Sequence, residues 1–239
     1  MLGQTVSMES LEPVETHDSI FGHLAMRQTE FEENRFFEFL RSNPSPEWLS
    51  EFIPNMGFWV HTFQDTLKLI ARKITDPTMK QIAVHIQTGD TGHNNWFCRD
   101  MKVLGLDVPT LPELYKPEHE AARLTSYAII SEIFRAHDDR LLIVLLLAME
   151  AASYVFFESM TVYFEENEFP VELHYFGRTH LDAELHHGIV EAEMDMRVEA
   201  AIERSREIQT EALAIIDRVF ATFTDLFDSF VAPPESPGH

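Results

Sequence analysis

The chain is poor in cysteine, glycine and positive charge, and it has no apolar run of full membrane length; each shortage removes a class of protein. Its one cysteine, Cys98, has no second thiol with which to close an intramolecular disulfide. The amino terminus carries no basic segment followed by an apolar run and a small-residue cleavage site, so a reducing cytoplasm is expected. Aspartate and glutamate outnumber lysine and arginine 40 to 18, and the net charge of -22 would repel a phosphate backbone. Nucleic acid is not an expected partner. The longest apolar stretch, Leu141 to Phe157, falls short of the ~20 residues that cross a bilayer and carries Glu150 in its middle. It reads as a core helix, not as a membrane span. Nine glycines are few for 239 residues, and aliphatic residues recur at spacings of three and four, not two. With no internal repeat, that pattern is all-α.

What is present suits one domain large enough to bury a core and to reserve interior space for a site. Residues 1–17 have no sustained periodicity and are expected to lie loose; residues 18–231 form the helical domain; residues 232–239, Ala-Pro-Pro-Glu-Ser-Pro-Gly-His, are expected to be disordered. Helices are expected over Asp18–Arg41, Glu47–Pro54, Gly57–Ile74, Pro77–Leu104, Glu118–Ala136, Asp139–Asn167, Val171–Glu193 and Arg197–Val231. Asn43-Pro44-Ser45-Pro46 stops the first, Asp76-Pro77 supplies an N-cap and first-turn proline, and Gly105 supplies a C-cap. The final helix, with Ile202, Leu213, Ile216, Phe220, Phe223 and Phe227 at helical spacing, serves a core or a second subunit equally well, which leaves a homodimer open.

Three segments carry chemistry. Glu150 lies in a helix that is apolar on every side, so any rotation leaves its carboxylate facing packed protein. Such a group needs a cation, a donor network or a shifted pKa, and a salt bridge or a protonated core acid would satisfy it as well as a metal. In His180-Leu-Asp-Ala-Glu-Leu-His-His, residues 180, 184 and 187 rise on one helical face, so two imidazoles and a carboxylate can meet one point. An exposed acidic, histidine-rich helix is the plain alternative. In His85-Ile-Gln-Thr-Gly-Asp-Thr-Gly-His, Asp90 and His93 share a face, while Gly89 and Gly92 suggest a local unwinding or a close approach to the backbone. His85 fits either a pocket wall or a satisfied core histidine. Asp90, His93, Glu150, His180, Glu184 and His187 together make three acids and three histidines, enough for two irons with three protein ligands each. Zinc would use fewer ligands and often cysteine, and calcium or magnesium would not favour imidazole.

The order Asp-x-x-His, a lone glutamate in an apolar helix, then His-x-x-x-acid-x-x-His resembles the haem-oxygenase-like diiron oxidases and oxygenases. The likeness spans roughly Glu47 to His187 and includes Phe52-Ile53 to His61, Leu67 to Arg72, Trp96, Asp100 and Leu104-Gly105. It departs from the usual pattern at Asp90, where glutamate is common, and at Glu184, where aspartate is. The resemblance implies a bundle of about seven helices, two ferrous ions and oxygen as co-substrate. It places Asp90, His93 and His187 around one iron and His180 and Glu184 at the other, with Glu150 nearby or bridging and Glu158 its competitor.

Members of that family differ in reaction, and they include alkene-forming fatty-acid decarboxylases and an enzyme that turns a brominated tryptophan into an indole nitrile. Aromatic residues near the proposed ligands, among them Trp59, Trp96, Tyr154 and Phe157, favour a flat aromatic substrate; Arg178 is the visible partner for its carboxylate. The leading expectation is oxidation at the amino group of a (halogenated) tryptophan, with C–C cleavage to an indole-3-carbonitrile. Oxidative decarboxylation of a fatty acid and a non-catalytic iron-binding helical protein are the alternatives.

Overall fold

The computed structural model describes residues 19–167, 169, 172–183, 199–202 and 204–231. The expected loose segments at 1–17 and 232–239, and the expected helix over residues 184–193, lie outside them. Among the described residues there is helix and no strand.

The centre is α7, Asp139–Glu166, started by the Asp138 carboxylate accepting from the Arg140 amide at 2.9 Å. A helix that is apolar all round must be covered all round. By length and composition this helix is able to cross a membrane, contrary to the shorter run read from Leu141 to Phe157, but 67% of its apolar window is buried inside the protein. Around it run α1 (Ile20–Glu32), α2 (Arg35–Arg41), α3 (Leu49–Lys73), α4 (Pro77–Gly89), α5 (His93–Val103), α6 (Glu120–Arg135) and α8 (Arg206–Asp228). Helix α8 lies along α7 and α1, while α3 packs on α6 and α4. Phenylalanines fill the joint of α1, α2, α7 and α8, with Phe31–Phe37 centroids 5.1 Å apart, Phe36–Phe227 4.9 Å and Phe156–Phe227 5.2 Å. Burying one such ring contributes roughly 1.5–3 kcal/mol, so this joint is a large share of the core.

Several boundaries differ from expectation, each for a local reason. The first expected helix is two, because Asn34 leaves helical geometry and its side chain caps the Phe36 amide at 2.8 Å. The expected break between Pro54 and Gly57 is absent. Proline costs α3 one backbone bond, but Phe52, Ile53, Met56 and Phe58 are buried on both sides of it and hold the helix through. The single helix over Pro77–Leu104 is divided at Asp90–Gly92, where Gly92 has φ +98°, a left-handed conformation that side chains resist. Residues 172–177 are not helical, and helix begins at residue 178, later than the expected Val171. The last helix starts afresh at Ser205, whose hydroxyl accepts from Ile208. The cap at Asp76, which accepts from Thr78 and Met79 at 2.9 Å with Pro77 following, is as expected.

Candidate metal centre

The break between α4 and α5 sets the first two donors. Asp90 closes α4, and His93 opens α5 just after the left-handed Gly92, so both side chains leave a tight corner on one side. The Gln64 amide of α3 donates to the Asp90 carbonyl and ties that corner to the core. Asp90 and His93 are only 5% and 4% exposed. Their Oδ1 and Nδ1 atoms lie 2.8 Å apart. Yet no hydrogen bond joins them, and His93 Nδ1 is a buried nitrogen without a hydrogen-bond partner among the described residues. The distance and the missing bond are compatible if both atoms aim at a third point. Ligands at right angles around a cation with bonds of about 2.1 Å are themselves ~3 Å apart.

The third donor comes from residues distant in sequence. Residues 172–177 cross behind α5, where the buried Asp100 carboxylate accepts the amides of His174 (3.0 Å), Tyr175 (2.7 Å) and Phe176 (3.2 Å). Burial pushes the Asp100 carboxyl pKa up, against the pull of those three amides. Gly177 follows because a Cβ there would collide with the Leu173 carbonyl. Helix then resumes and presents His180, 1% exposed, with Nδ1 2.9 Å from the Tyr175 carbonyl oxygen. A carbonyl only accepts, so Nδ1 carries the proton in this bond.

These side chains converge: donor atoms of Asp90, His93 and His180 lie within 4.8 Å of one another. Rings hold both imidazoles in place. Trp96 stacks on His93 at 4.4 Å, His93 and His180 are 4.2 Å apart, and Phe157 sits 3.8 Å from His180. One carboxylate and two imidazoles, with an unpartnered buried nitrogen, fit a borderline transition metal. Glu150, half-buried on α7, lines the pocket these residues share, whereas its competitor Glu158 is exposed and accepts from the Tyr154 hydroxyl at 3.2 Å. Glu184 and His187 lie outside the described residues. The geometry brings His180 to Asp90 and His93, within a span that one iron or two neighbouring irons about 3.5–4 Å apart would fit.

The pocket is narrow, with a cavity volume of about 30 Å³, room for a water. Its apolar wall is Trp59, Phe63, Phe156, Phe157, Phe223 and Phe227, and its polar side adds Gln64, Asn94 and Ser153. Of the expected substrate-binding residues, Trp59 and Phe157 line this pocket. Four other expected substrate-binding residues are not part of the lining. Trp96 lies behind His93, Tyr154 bonds Glu158, His85 is exposed on α4, and Arg178 forms an exposed ion pair with Glu165 at 2.9 Å. No lysine or arginine is among the described residues lining the pocket. Asp100 was visible in the sequence only as part of a family likeness; its signal is a lone acid between Phe97 and Met101, two turns after His93.

Comparison with protein-family models gives no match, and neither does comparison with curated proteins. Among solved structures the chain resembles a CADD-like protein of unknown function from Nostoc punctiforme, with TM-score 0.63 and 17% identity over 88% of this chain and 96% of that one. The likeness extends through nearly the whole bundle and establishes a shared all-α fold.

Proposed function

We propose that the chain is a non-haem diiron, oxygen-dependent oxidase or oxygenase of the haem-oxygenase-like class, acting in the cytoplasm on an aromatic amino acid. The observation that carries this reading is the buried convergence of Asp90, His93 and His180 beside an aromatic pocket. The shared fold with a CADD-like protein supports it. Asp90, His93 and His180 would hold iron, with Glu150 across the pocket and Glu184 and His187 completing the set. Bound iron would supply the activation of oxygen.

The protein's own residues do the rest. Trp59, Phe63 and Phe157 offer faces and edges to a flat substrate body and keep bulk water from the reacting end. The Tyr175 carbonyl holds the His180 proton on Nδ1, so Nε2 would be the nitrogen offered to iron. Among the described residues the lining contains no cation, and Arg178 is paired with Glu165 away from it. The water-sized cavity means that aromatic side chains must turn to admit an indole. A tryptophan-like substrate, oxidised at its amino group and cleaved to a nitrile, is the specific form of the proposal.

The test is oxygen uptake and product analysis with iron-loaded protein against tryptophan, halogenated tryptophans and medium-chain fatty acids. Tryptophan-dependent oxygen consumption with a new nitrile supports the reading. Alkene from a fatty acid would replace the substrate, and iron binding without substrate-dependent uptake would leave only an iron-binding protein.

A further inference from the structure

Asp100 is completely buried, and its two oxygens accept three consecutive amides, His174, Tyr175 and Phe176, just before the turn that presents His180. The peptide joining Tyr175 to Phe176 faces both ways. Its N–H donates to Asp100 Oδ2 at 3.2 Å, and its carbonyl accepts the His180 Nδ1 proton at 2.9 Å. We propose that Asp100 is a positioning residue that acts on His180 through this peptide, aiming Nε2 at Asp90 and His93 and raising its strength as a donor.

Two physical effects follow from the connection. A negative charge at the N–H end of an amide polarises it, so its carbonyl becomes a better acceptor, and hydrogen bonds in series strengthen one another. An imidazole whose N–H is drawn toward a stronger acceptor is the more basic at its other nitrogen, as when a carboxylate bonds a metal-ligating histidine directly. Here one peptide unit stands between them. The second effect is geometric. His93 and Asp100 are seven residues apart on α5, two turns or ~10.5 Å of one rigid helix. The same helix therefore carries one ligand and the anchor of the segment bearing another, which ties His180 to His93 although they are far apart in sequence.

A simpler role would be to satisfy three buried amides and nothing more. The two roles separate in a double-mutant cycle on metal affinity, read by titrating ferrous iron alone, without oxygen, into wild type, Asp100→Asn, His180→Ala and the double variant. Asn keeps the size and one accepting oxygen but removes the charge. The proposal expects Asp100→Asn to weaken binding about 10–100-fold and to cost nothing further in the His180→Ala background. Unchanged affinity in Asp100→Asn, or the same loss in both backgrounds, overturns it. Nitrogen NMR of the His180 ring covers the case in which Asp100→Asn does not fold: the wild-type protein should carry its proton on Nδ1, and a proton on Nε2 overturns the proposal without any variant. The inference rests on the metal reading above. Wild-type protein that binds no iron ends both, whereas wild-type binding with an unaffected Asp100→Asn ends this one alone.

Discussion

His93 Nδ1 and Asp90 Oδ1 lie 2.8 Å apart, buried, with no hydrogen bond between them. A carboxylate oxygen and an imidazole nitrogen that close, in a geometry that makes no hydrogen bond, fit two ligands of one cation. Ligand binding to the folded state alone stabilises it by mass action, about 2.7 kcal/mol at a free concentration 100 times Kd. Ferrous iron should accordingly raise the thermal midpoint of the wild-type protein and leave His93→Ala unmoved. Equal shifts in both proteins, measured by anaerobic thermal unfolding, would remove His93 from the ligand set.

Gly177 lies between the Asp100-anchored segment and His180, and a methyl group there meets the Leu173 carbonyl. Overpacking of this kind costs about 1–3 kcal/mol. Gly177→Ala should lose that much stability in urea and should also bind iron more weakly, because the displaced backbone carries His180. Full stability with wild-type iron affinity would show that the segment can yield.

Glu132 joins α6 to α8, accepting from Arg218 at 2.8 and 2.9 Å and from Arg135 at 2.8 Å. The carboxylate is buried, but Arg218 and Arg135 are 40% and 60% exposed and would recover water if it were removed. The loss in Glu132→Ala should therefore fall below the 3–5 kcal/mol of a fully buried broken pair, at about 1–3 kcal/mol. Iron affinity should not change. Denaturant midpoints beside an iron titration would check both halves of this statement.

His119 is 5% exposed, its Nδ1 has no hydrogen-bond partner among the described residues, and burial holds its pKa below the ordinary 6.5. The unfolded chain takes up the proton at about its ordinary value while the folded chain refuses it. Stability from this group is therefore complete above 6.5 and is lost as pH falls through the lower folded value. The wild type should lose up to about 1.4 kcal/mol per pH unit on acidification from about pH 7 to about pH 5 relative to His119→Gln. Parallel pH profiles for the two proteins would show that His119 does not contribute.

The amino-acid sequence by itself determined that the chain is helical, that α7 is its buried centre and that Asp76-Pro77 starts a helix. These depend on neighbours along the chain: a run that is apolar on every side has only an interior to occupy, and a cap bonds amides two and three residues away. The sequence also placed Asp90 close to His93, three residues on, and marked Gly92, where the helix is cut.

Only the tertiary structure decided where each face points. Periodicity says that side chains share a face but not what that face meets, so Tyr154 and Arg178, near the ligands in sequence, turn to Glu158 and Glu165. His180 reaches Asp90 and His93 through Asp100 and a non-helical segment where helix was expected. Pro54, read locally, breaks a helix; packed on both sides, it does not. In each case the outcome belongs to groups brought together from distant parts of the chain, whose packing outweighs a local preference of a kcal/mol or so.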